Sequence, residues 1–543
     1  MPQKRFSFFQ IETVLFWLLI GLMLFPIWSN TYFLTGDGPC HLYNSKVLLD
    51  FITGTDVDFY SEYYVLNRNT EPNWFSHLSL AFLLTFLTDR MAEKVFLTVY
   101  VLLFGLLIRG IIRLINKQNT FLILLGLPFI FHHMFQMGFF NYSYGFAFCF
   151  LGIWFWLKCH QYMTWPRLMV FAFINLLTYF THPIGFLLSG LMIGSMAMGK
   201  LVVPLLGGSD AKNATRSDTL RSFGNIILGF LPGILLMMEY LMRKGLHPKP
   251  NPDSAKYLYH ELIELTSLIN LHENEKYAAM ALSILFGTLV LTALIGKIRN
   301  RIWSMYDGLF GAFLLMVLLY FIQPGALAGA GILSKRLQFI PYLVVFLWLA
   351  HIPYNHQQKR VTTVVGISII IMFSVLRIPI HRFASDAVEE YVSANTVIPS
   401  RSTVLPLSFS HNGKTPAGDR ISQKVWLFMH AFDYSGTDKP LVLFGNYEAN
   451  TGYFPIIWKT DKNPYTYLSK GGGLEHQPPG VGIMNYESST KSRIDYVVTW
   501  CLDEQFMEHP NTLELLKELT ANYELIFTSK HQLTRVYRRL ASE

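Results

Sequence analysis

The chain has 543 residues with 44 Lys and Arg against 36 Asp and Glu, so 15% of its positions are charged, where a soluble globular protein carries about 25%. That deficit excludes one large soluble protein, and it is uneven: residues 1–380 hold 28 basic and 18 acidic residues, residues 381–543 hold 16 and 18. The basic excess lies among hydrophobic segments, as cytoplasmic loops of a membrane protein require, and not on a polar surface of the kind that binds nucleic acid.

In chain order, Lys4 and Arg5 precede an apolar run from Val14 to Leu34 that is long enough to cross a bilayer. It lacks a small-residue cleavage site and is followed by more hydrophobic segments, so it reads as a retained first span. Further runs lie near 94–115, 119–136, 140–158, 167–181, 184–200, 221–242, 277–296, 303–322, 337–352 and 361–380, about eleven spans in all. The stretch Trp74 to Leu87 is apolar but short and is interrupted by His77, Ser79 and Thr85, which predicts an interfacial helix. With that placement the basic clusters at Lys4 and Arg5, at Arg109, Arg113 and Lys117, at Lys158 and Arg167, and at Lys200, Lys212, Arg216 and Arg221 face the cytoplasm. Those at Lys297, Arg299 and Arg301 and at Lys359 and Arg360 do the same. The outer side receives the loops 35–93, 243–276 and 323–336 and the C-terminal region. An Asn213-Ala-Thr215 sequon falls on the predicted inside and carries no weight.

Residues 381–543 read as a small α/β domain. Strands are predicted at Thr403 to Leu407, Leu441 to Phe444 and Tyr496 to Trp500, and a helix at Asn511 to Leu519 with Asn511 as its cap. A terminal hairpin is predicted from Tyr523 to Phe527 and Leu533 to Tyr537, and Gly471, Gly472, Gly473, Pro478 and Pro479 mark a loop. Trp426, Phe428, His430, Phe432 and Tyr434 alternate as in a strand, with one face suited to core packing or to stacking on a sugar. The fold class is therefore a polytopic α-helical membrane protein, residues 1–380 with a first outer loop 35–93, followed by an extracytoplasmic α/β domain, residues 381–543. Cys40, Cys149, Cys159 and Cys501 make neither a metal-like spacing nor a disulfide framework. Free thiols are the main expectation, although Cys40 and Cys501 could meet outside the membrane.

The most informative segment is Thr35-Gly36-Asp37-Gly38-Pro39-Cys40-His41, directly after the first span. Two glycines and a proline force a tight turn around a carboxylate, so that the backbone there can approach a ligand closely. Asp37 could equally cap the helix that begins near Pro39. His41 lies one helical turn on and is a candidate partner for Asp37. Lys335 and Arg336 follow a small-residue loop on the outer side, against the positive-inside trend, and suit either a substrate phosphate or lipid headgroups. Arg243, Lys244, His247 and Lys249 form a second outer basic cluster, and His182 sits at a Thr-His-Pro break between two spans, where polar groups line cavities more often than they face lipid. His132 and His133 invite a metal reading, but adjacent residues on a helix point in different directions.

Together these features resemble the GT-C superfamily, membrane glycosyltransferases that use polyprenyl-phosphate sugars, such as protein O-mannosyltransferases and aminoarabinose transferases. The resemblance spans nearly the whole chain in architecture. Its sequence support is Gly36-Asp37-Gly38-Pro39 with His41, then Glu71-Pro72-Asn73-Trp74 leading into the interfacial helix, then Lys335-Arg336. It implies that Asp37 is the general base or orients the acceptor nucleophile, with His41, Glu71, His182, Lys335 and Arg336 as substrate-binding candidates. This sequence departs from the pattern of two adjacent acids, because Gly38 holds the second place. Asp56, Asp58 or Glu71 could supply the second acid, so metal dependence stays open: no cofactor is certain, and a divalent metal is the one candidate.

The chemistry fits these residue types. A sugar on a lipid phosphate is already activated, so the enzyme must position an acceptor hydroxyl, remove its proton and hold the departing phosphate. The expected function is transfer of a sugar from a polyprenyl-phosphate donor to a glycan, lipid or protein acceptor. The expected place is the outer face of the cytoplasmic (inner) membrane, with the C-terminal domain periplasmic. A flippase or transporter of lipid-linked glycans is the alternative, although no internal repeat of the kind transporters carry is present. A non-catalytic envelope-assembly subunit is the third reading.

Overall fold

The structure is a computed structural model that describes residues 8–203 and 216–541. Lys4, Arg5, Lys212 and the Asn213-Ala-Thr215 sequon lie outside the described residues, as does the side chain of Arg216. The chain forms two compact units. The first comprises Met1–Phe25, Val99–Phe135 and Phe140–Leu376, and the second comprises Pro26–Thr98, Gln136–Phe139 and Arg377–Glu543.

The first unit is helical. Phe140–Cys159 packs against Trp165–Thr181 and Pro183–Val202, and Trp165–Thr181 packs against Arg216–Lys244. The helix Gly308–Ile322 lies against Pro183–Val202 and Ile340–Leu349. One approach is very close: a Cβ on Gly308 would stand 1.8 Å from the Ser195 carbonyl oxygen, so only glycine fits. Such small-residue contacts are how helices gain van der Waals packing where water supplies no hydrophobic drive. Large apolar side chains stay exposed along these helices, among them Ile227, Leu235, Met238, Ile284, Leu291 and Leu314, as a lipid-facing surface requires and a water-facing one does not.

Among the described residues seven helices are long and apolar enough to cross a membrane, from Glu12–Ser29 to His356–Thr396. The chain is a multi-pass membrane protein; the expected count of eleven spans is not what the helix lengths give. Region 119–136 is a series of short turns, Lys117–Leu122, Ile123–Gly126, Leu127–Phe131 and His133–Gln136, interrupted at Pro128, which cannot donate a helical hydrogen bond. Region 337–352 holds a helix of only 10 residues, Ile340–Leu349, all but one of them buried. Both regions are apolar because they are enclosed by protein, which hydropathy alone cannot separate from lipid exposure. Trp74 to Leu87 contains the helix Phe75–Leu84, 10 residues long, about 15 Å and half a bilayer core.

Among the described residues the seven strands all lie in the second unit: β1 Tyr64–Leu66, β2 Ser402–Ser408, β3 Leu441–Leu443, β4 Ile456–Trp458, β5 Tyr496–Trp500, β6 Tyr523–Thr528 and β7 Thr534–Arg539. Five form one sheet in the order β3-β2-β5-β7-β6, with β2 parallel to β3 and β5, and β7 antiparallel to β5 and β6. The remaining pair is β1 with β4, antiparallel, Tyr64 opposite Trp458, so the segment after the first span is stitched to the C-terminal region within this unit. The strands at 402–408, 441–443 and 496–500 and the terminal hairpin match the sequence pattern. Two local expectations are corrected. Trp426 to Tyr434 is not a strand but irregular chain ending in the 3₁₀ turn Ala431–Tyr434, where Phe428 stacks on Trp500 at 5.4 Å. The helix near 511 is Pro510–Asn522, and its cap is His509, whose ring accepts from Asn511 N, because Pro510 takes the first helical position. All four cysteines are free and buried.

Candidate functional site

In the second unit the turn around Asp37 is held by backbone pairing with a distant segment: Gly36 N donates to Gln136 O at 2.9 Å and Asp37 N to Met137 O at 2.8 Å. The opposing segment ends at Gly138, with φ +87°, where a Cβ would lie 2.3 Å from Asp37 N. Gly138→Ala should therefore destabilise the protein by about 2 kcal/mol or more, since it meets both a left-handed backbone and a clash with main chain. Thermal unfolding checks this, and an unchanged midpoint would contradict it.

Asp37 stands at the start of the helix Gly38–Thr53, yet its side chain makes no capping bond. Its carboxylate accepts a hydrogen bond from Tyr447 Oη at 2.6 Å instead, and the residue is 6% exposed. Capping therefore does not account for this aspartate. Burial pushes its carboxyl up to about 7 from an ordinary 3.8, the Tyr447 bond and His41 pull it down, and the Glu448 and Glu475 carboxylates push it up. The Tyr447 ring is stacked on His430 with centroids 4.7 Å apart. Removing the hydroxyl in Tyr447→Phe should move the Asp37 titration to higher pH, followed by its carboxyl infrared band in both proteins. A midpoint that stays or falls would contradict this.

His41, the other residue singled out in this segment, does not contact the Asp37 carboxylate by side-chain hydrogen bonding. Its Nδ1 lies 2.5 Å from Glu448 Oε1, and His77 Nε2 lies 2.8 Å from Glu448 Oε2. The two ring nitrogens are 3.4 Å apart, and all three residues are buried. Asn44 adds a bond to Glu448 Oε2 at 2.8 Å. Burial lowers His41, but the Glu448 charge and hydrogen bond outweigh it and the net shift is upward. For His77 burial prevails and the shift is downward. These three are the described residues that could hold a metal ion. Glu71 is also buried in this unit. Nearby, His411, His430, Asp433 and Glu475 line a cavity of about 20 Å³, room for about one water.

The remaining candidates belong to the first unit. His182 caps the helix Pro183–Val202, its Nδ1 accepting from Ile184 N at 3.1 Å, while its Nε2 is 3.3 Å from Arg336 Nη1. The Arg336 guanidinium also lies over the Tyr142 ring, so its orientation is set from two sides. Lys335 is engaged by the Glu261 carboxylate, which offsets the charge a phosphate would meet. In the outer cluster Arg243 pairs with Glu239 one helical turn before it.

Sequence reasoning did not find Tyr447, Glu448 or Glu261. His77 was visible only as a polar interruption of an apolar run, and that oddity was its signal. Nothing local marks Tyr447 and Glu448, which reach Asp37 and His41 from 410 and 407 positions away.

No family model and no curated protein matches the sequence. The structure is similar to ArnT from Cupriavidus metallidurans in the apo state, with a TM-score of 0.51 at 11% identity over 97% of this chain and 98% of that one. It is equally similar to ArnT from Cupriavidus metallidurans bound to undecaprenyl phosphate, with a TM-score of 0.52 at 11% identity over 98% of each chain. The chain thus has an ArnT-like fold, the fold that the resemblance to aminoarabinose transferases of the GT-C type implied.

Proposed function

We propose that the chain is a membrane glycosyltransferase that moves a sugar from a polyprenyl-phosphate donor to an acceptor hydroxyl on the outer side of the cytoplasmic membrane, with Asp37 as the base. The observation that carries this reading is the Asp37 carboxylate: buried, held by the Tyr447 hydroxyl and raised to about 7. A general base acts best with a pKa near the working pH, and an ordinary surface aspartate is far too weak a base for this task. The ArnT-like fold, seen in one neighbour with undecaprenyl phosphate bound, supports a polyprenyl-phosphate lipid as the donor's carrier.

In the proposed step the acceptor hydroxyl gives its proton to Asp37 as its oxygen attacks the anomeric carbon. The bond from that carbon to the phosphate oxygen breaks, and polyprenyl phosphate leaves with the electron pair. A single displacement of this kind inverts the anomeric centre. Within the first unit, Arg336, oriented by His182 and Tyr142, is that unit's candidate for binding a phosphate because guanidinium geometry matches phosphate oxygens. Lys335 is the weaker candidate, its charge being shared with Glu261. The acceptor is a glycan, a lipid or a protein, and the active face is periplasmic.

Purified native chain in proteoliposomes, given a panel of radiolabelled polyprenyl-phosphate sugars and acceptor extracts, should transfer label and release polyprenyl phosphate. Movement of intact donor across the bilayer without cleavage would replace this reading with a flippase.

A further inference from the structure

We propose that His41, His77 and Glu448 bind a divalent transition-metal ion. The three come from separate segments of the second unit: the helix Gly38–Thr53, the helix Phe75–Leu84 and the turn of helix Glu448–Thr451. Their ligand atoms all lie within 4.8 Å of one another, and the residues are 3%, 0% and 0% exposed. Enclosure on this scale sets the cluster apart from an acidic surface patch.

The hydrogen bonds at the back of each ring decide what its front presents. The His41 ring is bonded to the Gly138 backbone and the His77 ring to the Asn73 backbone, with the Ser76 hydroxyl 3.4 Å from His77 Nδ1. A neutral imidazole that gives its one N–H to a backbone carbonyl keeps a lone pair on its other nitrogen. Both front nitrogens then face the Glu448 carboxylate, at 2.5 and 2.8 Å. A cation at their centre would take the place of the protons that otherwise join these groups. Backbone carbonyls holding the rear nitrogens are also the usual outer support of metal-bound histidine. On the carboxylate side Asn44 supplies the matching support to Glu448, and Asn446 Nδ2 in turn donates to Asn44 Oδ1 at 2.9 Å.

Two imidazoles and one carboxylate form a set that suits zinc and its first-row neighbours, whereas magnesium and calcium require mostly oxygen ligands. Three protein ligands also leave a coordination position open. The ion would join the helix that Asp37 begins to two other segments of its unit. The inference rests on the triad alone and not on the glycosyltransferase reading, so each can fail without the other.

The test uses full-length protein purified in detergent from zinc-supplemented cells and dialysed against a weak chelator. Elemental analysis should find about one zinc per native chain and at least tenfold less in Glu448→Gln. X-ray absorption of the native protein should show imidazole ligands at about 2.0–2.1 Å. After a strong chelator, added Zn²⁺ should raise the unfolding midpoint of the native chain and leave that of Glu448→Gln unmoved. Equal zinc in both proteins, or a native spectrum without imidazole, would mean adventitious binding and a cluster held by protons, and would overturn the proposal. The native chain's spectrum decides the matter even if the variant fails to fold.

Discussion

Asp37→Asn is expected to lower sugar transfer by about 10²- to 10⁴-fold, the usual worth of a general base, while making the protein more stable at alkaline pH. The stability gain follows from the direction of the shift. A carboxyl raised in the folded state from 3.8 to about 7 binds its proton more tightly folded than unfolded, so stability falls as pH rises through that window. Above it the whole cost is present, at most about 4 kcal/mol if the full shift is counted. Asparagine keeps an acceptor for the Tyr447 hydroxyl and carries no charge, so the variant's unfolding midpoint should exceed the native one at pH 8. The two midpoints should converge at pH 3. Full transfer by the variant, or a lower midpoint at pH 8, would contradict the assignment. Such a trade of stability for reactivity is what a desolvated catalytic group produces.

The second large effect is structural. Within the first unit Arg109 Nε and Nη2 donate to Glu12 Oε1 and Oε2 at 2.8 and 2.7 Å, and Nη2 also reaches Thr13 at 2.8 Å. Both residues are 8% exposed, and each lies on a helix long and apolar enough to cross a membrane. Glu12→Ala leaves an enclosed guanidinium whose remaining partners among the described residues are the Thr13 hydroxyl and the Phe16 ring. The expected loss is about 3–5 kcal/mol, because an unpaired buried charge costs more than the pair contributes. Arg109→Leu in the same background should recover part of it. A loss below about 1 kcal/mol for Glu12→Ala in thermal unfolding would show that the charge finds water or headgroups instead.

The reach of the sequence is clearest where a residue's partners are near it in the chain. Asp37 stood out because glycines and proline around a carboxylate have few structural uses, and the long spans stood out because length and hydropathy suffice to define them. The β2, β3 and β5 strands and the β6-β7 hairpin were legible from β-branched runs bounded by turns. Aromatic alternation from Trp426 to Tyr434 misled, since an irregular segment can bury every second residue without joining a sheet. The pairing of three-residue strands β1 and β4 was invisible, being too short to leave a periodic trace. Hydrophobicity also does not separate a span from a buried helix, because Ile340–Leu349 is apolar and enclosed by protein. The partners of the site were the deepest omission: Tyr447 and Glu448 look like ordinary turn residues until the fold sets them against Asp37 and His41.

The central claim is that Asp37 serves the chemical step and not donor binding or folding. Its most direct test is a pair of measurements on native chain and Asp37→Asn in the same proteoliposomes: the donor's dissociation constant and the turnover rate at saturating donor and acceptor. Donor affinity within about twofold of native together with turnover down by at least about 10²-fold is the predicted result. Native turnover in the variant, or a turnover loss explained entirely by lost donor affinity, would contradict it.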